Sequence, residues 1–364
     1  MWTEDEVKFM REALALAKSA EGRTSPDPMV GAVLVKGGRI ISMGYHGEVA
    51  TPHAEAWAIQ KAGEETKGSV LYLNLEPCAH YGNNPPCVEL ILKAGIKEVV
   101  AAMKDPNPLV NGRGFAYLKK QGIKVRVGLL EEEAKKLNEV FIKYITTKLP
   151  FVVLKTAVTL DGKIATRTGA SRWVASADSL RYAHHLRNIY DAILVGVRTV
   201  LIDDPKLNVR RVKKIKDPIR IVLDAYARTP LEAQVLNSFG GKTIVVVSPQ
   251  APAKRVKALE KKGAEILTIP AKAGHINLRP LLKKLGERKI TSLLVEGGGE
   301  VNASFLEEGL VDKALFFIAP KIFGGREAPT AVEGAGVKLP AQAWQLKSIF
   351  LERVGKDFLI GGYF

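Results

Sequence analysis

Apolar positions in the first 150 residues switch repeatedly between a helical and a strand period. Val7, Met10, Leu14 and Ala17 recur at three- and four-residue steps and predict an opening helix. VGAVLV and RIISMGY read as two strands joined by a KGG turn, a hairpin. AEAWAIQKAG predicts a helix stopped at Gly63, SVLYLNL a buried strand, and VELILKAG a helix closed by Gly95. KEVVAAM, GFAYLKKQG and KVRVGL continue as strand, helix and strand. One long helix is expected from about Glu131 to Thr146, its acidic first turn suited to the helix dipole.

In KLPFVVLK a proline follows that helix and a new apolar strand begins, which places a domain joint there: residues 1–147 and 148–364. Beyond it, FVVLKTAVT predicts a strand, residues 179–188 a helix, AILVG a strand and DDPKLNVR a loop. IRIVLDA and KTIVVVS predict strands, AKRVKALEKKG a helix, AEILTI a strand, LRPLLKKLGERK a helix, SLLVEG a strand and VNASFLEEG a helix. KALFFIAP, FLERVG and FLIGGYF close the chain as strands. This alternation argues an α/β domain with a largely parallel sheet. No internal repeat links the halves.

The length, 364 residues, agrees with two domains. No apolar run approaches the roughly 20 residues that cross a bilayer. The acidic start MWTEDEVKF has no charged-then-apolar leader. Two cysteines are too few for a disulfide scaffold in a chain of this size, so a cytoplasmic, reducing location is expected. The net charge of +16 is unevenly placed. Residues 1–147 hold 19 Lys/Arg against 18 Asp/Glu, and residues 148–364 hold 35 against 20. A basic second half suits nucleic acid, anionic small ligands or a solvated surface. Runs such as RRVKKIK and KKLGERK alone favour the surface reading.

Both cysteines lie in one short stretch, LEPCAHYGNNPPC, residues 75–87. TPHAEAWA supplies His53 and Glu55 as a helix begins. His53, Cys78 and Cys87 make three ligands for Zn²⁺, with the fourth position left to water, which is the catalytic arrangement. Zinc lowers the pKa of such a water toward about 7. Glu55, two residues from the histidine, is placed to take a proton from that water and deliver it to a leaving amine. The order His-x-Glu, then Pro-Cys, then Cys is that of zinc deaminases, where the Glu acts and does not ligate. Singly, each residue reads as ordinary: a helix-entry histidine, or buried apolar cysteines. His80, in the same loop, is expected to face substrate. In the second half, Gly297-Gly298-Gly299 follows an apolar strand and precedes a helix, so its backbone N–H groups can approach a phosphate. Alone it is a weak signal and not a dinucleotide fingerprint.

TPHAE, LEPCAHYG, PPC, SPDPMVGAVLV and DPNPLVNGRG resemble the deaminase half of the bifunctional riboflavin-biosynthesis deaminase/reductase family. KTAVTLDGKIATRTGASRW, ILVGVRTVLIDDPKLNVR and VEGGGEVNASF resemble its reductase half. The resemblance runs over nearly the whole chain. It implies a cytidine-deaminase-like three-layer αβα domain and a dihydrofolate-reductase-like α/β domain that uses NADPH. By motif match, Ala157, Trp173, Thr199, Asp203, Gly298, Gly299, Glu300, Val301, Asn302, Ala303 and Ser304 line the cofactor. Ser171, Arg187, Leu207, Arg210 and Glu296 hold the substrate, with Lys155 beside it. Arg187 and Arg210 suit fork-like contacts with phosphate. The implied substrates are small phosphoribosyl pyrimidines, deaminated and then reduced at the ribosyl chain. Lys155, Asp203 and Glu296 are the candidate proton donors for the reduction. No nucleic-acid or membrane partner is implied, and a homo-oligomer, dimer or tetramer, is expected.

Four positions depart from the family pattern. Asp27 stands where Asn is usual in a Pro-x-Pro segment expected to contact the pyrimidine, and an ionised acid cannot donate hydrogen bonds there. Asn74 replaces a usual Thr, and Asn83-Asn84 replaces a commoner pair. The first rival reading is a tRNA-type nucleic-acid deaminase with a basic C-terminal binding domain. It requires positive charge near the zinc ligands, where the net charge is only +1, and such deaminases commonly carry Pro-Cys-x-x-Cys, whereas eight residues separate the cysteines here. The second rival is a non-enzymatic protein with structural zinc, which requires a fourth protein ligand. A third keeps the fold and loses one activity.

Overall fold

The computed structural model describes residues 1–81, 85–237 and 241–364, and the chain divides into two units, Met1–Lys148 and Leu149–Phe364. Asn83-Asn84 lies outside the described residues.

The first unit runs α1 (Glu4–Lys18), β1 (Gly31–Lys36), β2 (Arg39–Tyr45), α2 (Ala54–Ala62), β3 (Val70–Leu73), α3 (Cys87–Lys93), β4 (Glu98–Ala101), α4 (Arg113–Lys120), β5 (Lys124–Val127), α5 (Glu131–Leu137) and α6 (Glu139–Thr147). Thr3 and Glu6 close a capping box at the start of α1. The sheet order is β2-β1-β3-β4-β5, antiparallel among the first three strands and parallel from β3 to β5. Side chains alternate across this sheet. Val33, Val35, Tyr72 and Val100 join α1, α5 and α6 in one core. Ala32, Leu34, Leu71, Leu73 and Val99 join α2, α3 and α4 in another. The result is three layers, αβα.

The single helix expected over residues 131–146 is two. Asn138, buried and non-helical, separates α5 from α6. Its side chain accepts from Met29 N–H at 2.8 Å and donates to Met29 C=O at 3.0 Å. A side chain that can satisfy a distant strand entry competes with the local helix, which is why the pattern alone did not show the break.

The second unit runs β6 (Phe151–Thr159), α7 (Ala177–Ile189), β7 (Ala192–Gly196), α8 (Val197–Asp203), β8 (Ile219–Leu223), β9 (Thr243–Val247), α9 (Ala253–Lys261), β10 (Glu265–Thr268), β11 (Ala271–Lys272), β12 (His275–Ile276), α10 (Leu278–Glu287), β13 (Ser292–Val295), α11 (Gly299–Glu307), β14 (Lys313–Ala319), β15 (Lys347–Val354) and β16 (Asp357–Tyr363). Its main sheet, β10-β9-β8-β7-β13-β6-β14-β16-β15, is parallel from β10 to β14 and antiparallel at the β16 and β15 end. Leu154, Leu194, Val246 and Leu293 pack with Leu281, Leu285 and Phe305 of α10 and α11 on one face. Ile193, Val195 and Val222 pack with Val200 of α8, and Val245 and Val247 with Leu259 of α9, on the other. The pattern did not predict α8, a short helix running straight on from β7 with Gly196 as its N-cap. Both units are mixed α/β.

Candidate functional sites

The first site lies where two helices begin on the same face of the first sheet. His53 is the N-cap residue of α2 in extended conformation, and Glu55 sits in that helix's first turn, buried. Gly44 of β2 is required here, because a Cβ would collide with the Ala54 carbonyl oxygen. Cys87 opens α3, and Cys78 lies in the loop after β3, its carbonyl accepting from Val88 N–H at 3.2 Å. His53 Nδ1 stands 3.1 Å from Cys87 Sγ and 3.6 Å from Cys78 Sγ. All three ligand atoms lie within 4.8 Å of one another. Atoms bound at about 2.0–2.3 Å to one tetrahedral zinc stand roughly 3.5–3.8 Å apart, so this donor set fits the ion.

The cluster is strongly polarised. A hydrogen bond from Cys87 pulls the Cys78 thiol down to about 4 against burial, and His53 reinforces it. The Cys87 thiol is pushed well up by the same contact and by burial. Hydrogen bonding to Cys78 raises the His53 imidazole to about 9. Burial pushes the Glu55 carboxyl above its ordinary range, with the His53 charge opposing.

Sequence reasoning gave no role to two neighbours of this cluster. Glu76, buried, accepts backbone N–H groups from Asp105 at 3.1 Å, Gly112 at 2.9 Å, Gly114 at 2.9 Å and Phe115 at 3.3 Å, and so fastens the DPNPLVNGRG segment beside Cys78. Its place two residues before Cys78 was the available signal. His46, buried, sets its ring edge-on to His53, with centroids 5.6 Å apart. Two of the departures from the family pattern, Asp27 and Asn74, have physical settings. The Asp27 carboxylate lies 3.4 Å from His46 Nε2. Asn74, fully buried, accepts from Gly31 N–H at 2.8 Å and donates to Met29 C=O at 2.9 Å, holding the strand entry that precedes β1. His80 is half-buried, and its Nδ1 has no partner among the described residues.

The second site is a cleft of about 320 Å³ beside the C-terminal ends of β7 and β13 and the outer half of β6. Carboxyl ends of parallel strands are where open α/β sheets hold ligands. Lys155, Ala157, Ser171, Thr199, Asp203, Glu296, Gly298, Glu300 and Val301 line it. Glu296 is gripped by the Arg187 guanidinium through two 2.9 Å hydrogen bonds, with Lys155 Nζ at 3.6 Å. Burial alone would raise this carboxyl, yet Arg187 and Lys155 hold it at about 2. Ser171 Oγ donates to Asp203 at 2.8 Å.

Other expected residues lie elsewhere. Leu207 is buried with Val195, Val200 and Val222. Arg210 is exposed and donates to its neighbour Asn208 at 2.9 Å. Trp173 is exposed under the Arg211 guanidinium. Gly299 is closed off by Thr330 and Glu333, and Asn302 and Ala303 are turned into the core. Asn302 donates to Ala331 C=O at 2.8 Å, and Ser304 Oγ donates back to Glu300 C=O. Periodicity cannot separate these inward positions from the cleft positions of one short helix. His184, one turn before Arg187, is buried, and burial together with the Arg187 charge drives its imidazole down to about 4.

One wall of the cleft is a strap of residues 321–333 laid against residues 159–174. The Asp161 carboxylate accepts from Thr159 Oγ1 at 2.6 Å, Phe323 N–H at 3.2 Å and Gly324 N–H at 2.7 Å. Lys321 Nζ donates to the Trp173 and Val174 carbonyls. Ile164 N–H reaches Pro329 C=O at 2.9 Å.

Architecture and clusters thus define a class: a zinc-binding deaminase unit followed by a reductase unit. Residues 3–103 match the family model of the cytidine and deoxycytidylate deaminase zinc-binding region, and residues 150–360 match that of the RibD C-terminal domain. The riboflavin biosynthesis protein RibD of Aquifex aeolicus is 44% identical over 360 residues, 99% of each chain. The solved Acinetobacter baumannii RibD superposes with a TM-score of 0.89 at 36% identity over 99% of each chain. A Thermotoga maritima structure described as a diaminohydroxyphosphoribosylaminopyrimidine deaminase/5-amino-6-(5-phosphoribosylamino)uracil reductase superposes at 0.86 with 38% identity over 98% of each chain. The chain belongs to the RibD family of bifunctional deaminase/reductases of riboflavin biosynthesis. Whole-length matches of this kind do not favour the tRNA-deaminase reading. Among the described residues, no helix is long and apolar enough to cross a membrane.

Proposed function

We propose that the first unit deaminates 2,5-diamino-6-ribosylamino-4(3H)-pyrimidinone 5′-phosphate and that the second reduces 5-amino-6-(5-phosphoribosylamino)uracil with NADPH. The observation that carries the reading is the His53, Cys78 and Cys87 cluster beside a buried carboxyl, Glu55. His53, Cys78 and Cys87 would hold zinc, which when bound supplies Lewis acidity and a water of lowered pKa. Glu55 takes the water's proton and returns it to the departing ammonia. Its raised affinity for protons, a consequence of burial, suits a group that must both accept and release one. Glu76 and His46 act behind this set, one holding the loop after Cys78 and the other backing the His53 ring.

In the cleft NADPH would supply hydride. Reducing ribosyl to ribityl opens the sugar ring, so the ring oxygen must gain a proton as C1 gains hydride. Glu296, held near 2, is an anion at neutral pH and is not that donor. It serves to orient Lys155, whose ammonium group is the proton source, while Ser171 fixes Asp203. Arg187 is committed to Glu296, which leaves Arg210 for the substrate phosphate. The remaining cofactor contacts carried over by motif are Ala157, Trp173, Thr199 and the turn at Gly298. We place the enzyme in the cytoplasm, as a homo-oligomer.

The test is one assay of purified, zinc-loaded protein with the diaminopyrimidine, following ammonia release and NADPH oxidation separately. Both signals are expected. Glu55→Ala abolishes ammonia release and leaves reduction of the deaminated intermediate intact. Absence of both signals from the wild-type protein would refute the reading.

A further inference from the structure

The reductase cleft has an unusual charge inventory for a cavity that takes a polyanionic dinucleotide. Its charged lining residues are Lys155, Arg198, Asp203, Glu296, Glu300 and Glu333, so carboxylates outnumber cations. Lys155 is drawn to Glu296 at 3.6 Å. Arg187, which could have helped, is locked in its fork with the same carboxylate. Arg198 differs from both. It is exposed on the first turn of α8, lines the cleft, and has no hydrogen-bond or ion-pair partner among the described residues.

Its position is equally specific. Gly196 abuts the Val301 side chain of α11, and a Cβ on Gly298 would stand 4.0 Å from Thr199 Oγ1. The start of α8 is therefore packed against the glycine turn that opens α11. Arg198 is held between buried Val197 and cleft-lining Thr199, at the junction of these two segments. An unpaired guanidinium lining the same cleft as a glycine turn is suited to a phosphate, which it meets with a planar fork of donors.

We propose that Arg198 is a cofactor-binding residue of the reductase, the cation that meets a phosphate of the dinucleotide. This rests on the reading of the cleft as the NADPH site. The shared chemistry is phosphate, from either the 2′-phosphate or the pyrophosphate, and the two are separable by experiment. The carboxylate excess of the lining makes the residue matter more, because without Arg198 the one remaining lining cation is Lys155, already drawn to Glu296.

The test is calorimetric titration of the full-length protein with NADP⁺ and with NAD⁺, a readout independent of turnover. Wild type is expected to bind NADP⁺. Arg198→Ala weakens NADP⁺ binding about 10- to 100-fold, the range for losing a hydrogen bond to a charged group. Arg198→Lys, which keeps charge and loses the fork, falls between. A loss confined to NADP⁺ assigns the 2′-phosphate, and an equal loss for NAD⁺ assigns the pyrophosphate. Arg198 is exposed, so the variants fold, and unchanged ammonia release from the same preparation checks this. NADP⁺ binding to Arg198→Ala as tight as to wild type overturns the proposal. Wild-type protein that binds neither dinucleotide overturns the cofactor reading itself, and the proposal falls with it.

Discussion

Replacing Arg187 by Met tests whether the buried ion cluster of the reductase cleft is a charge device or a packing detail. Glu296 and Arg187 are only 10% and 13% exposed. In the folded chain the Glu296 carboxyl is held at about 2, against an ordinary value of 4.5. That difference corresponds to about 3 kcal/mol of stabilisation of the ionised form. Stripping one partner from a buried pair costs about 3–5 kcal/mol by a separate line of reasoning, so the two magnitudes agree. The sign with pH follows. Because the folded-state value is depressed, the stabilisation is complete above 4.5 and is lost as pH falls from there through about 2. In Arg187→Met the carboxyl keeps only Lys155 at 3.6 Å, its proton affinity rises, and acid relieves the strain. The expected result in urea unfolding followed by tryptophan fluorescence is a deficit of about 3 kcal/mol at pH 7 that narrows toward pH 4. The double variant Arg187→Met/Glu296→Gln recovers part of the deficit at pH 7. A deficit of equal size at pH 7 and pH 4, or a double variant no more stable than the single one, would refute the electrostatic account.

Three further outcomes are expected. Cys87→Ser, or dialysis against a strong chelator, removes zinc measured by mass spectrometry and stops ammonia release, while NADPH oxidation with the deaminated intermediate persists. Loss of both activities together would contradict the separation of the two sites. Asp161→Ala frees the strap at Phe323 and Gly324, so the KM for NADPH rises severalfold with little change in ammonia release; an unchanged KM means the strap holds without it. Asn138→Ala leaves the Met29 amide and carbonyl without that partner and lowers unfolding stability by about 1–3 kcal/mol, measured by urea denaturation at pH 7.

Much of the architecture was written in local pattern. GAVLVK is apolar at inward and outward positions alike up to Lys36 and so reads as a strand covered on both faces, whereas which side chains meet α1 and which meet α2 is set by the fold. The parallel character of the second sheet follows from strands separated by helices, since parallel neighbours need a crossover. The division of α5 from α6 could not be read, because its cause is Met29, more than a hundred residues away in sequence. The helix α8 was hidden for a different reason: VRTVLID is apolar enough to continue a strand, and only the fold turns it.

The sites divide along the same line. His53, Glu55, Cys78 and Cys87 are conspicuous in sequence because sulfur and imidazole are scarce and their order is that of a metal-centred chemistry. The motifs also carried the family, a bifunctional deaminase/reductase of riboflavin biosynthesis. What tertiary structure alone decided is how charge is spent around the ligands. Arg187 looked like a phosphate fork, and the fold turns it onto Glu296. Asn302 looked like a cofactor contact, and the fold buries it against Ala331. Arg198 carried no sequence signal, and the fold leaves it unpaired in an acidic cleft. The physical reason is common to all three: a side chain's type limits what it can bind, but its partners come from segments tens of residues away and are known only once the chain is packed.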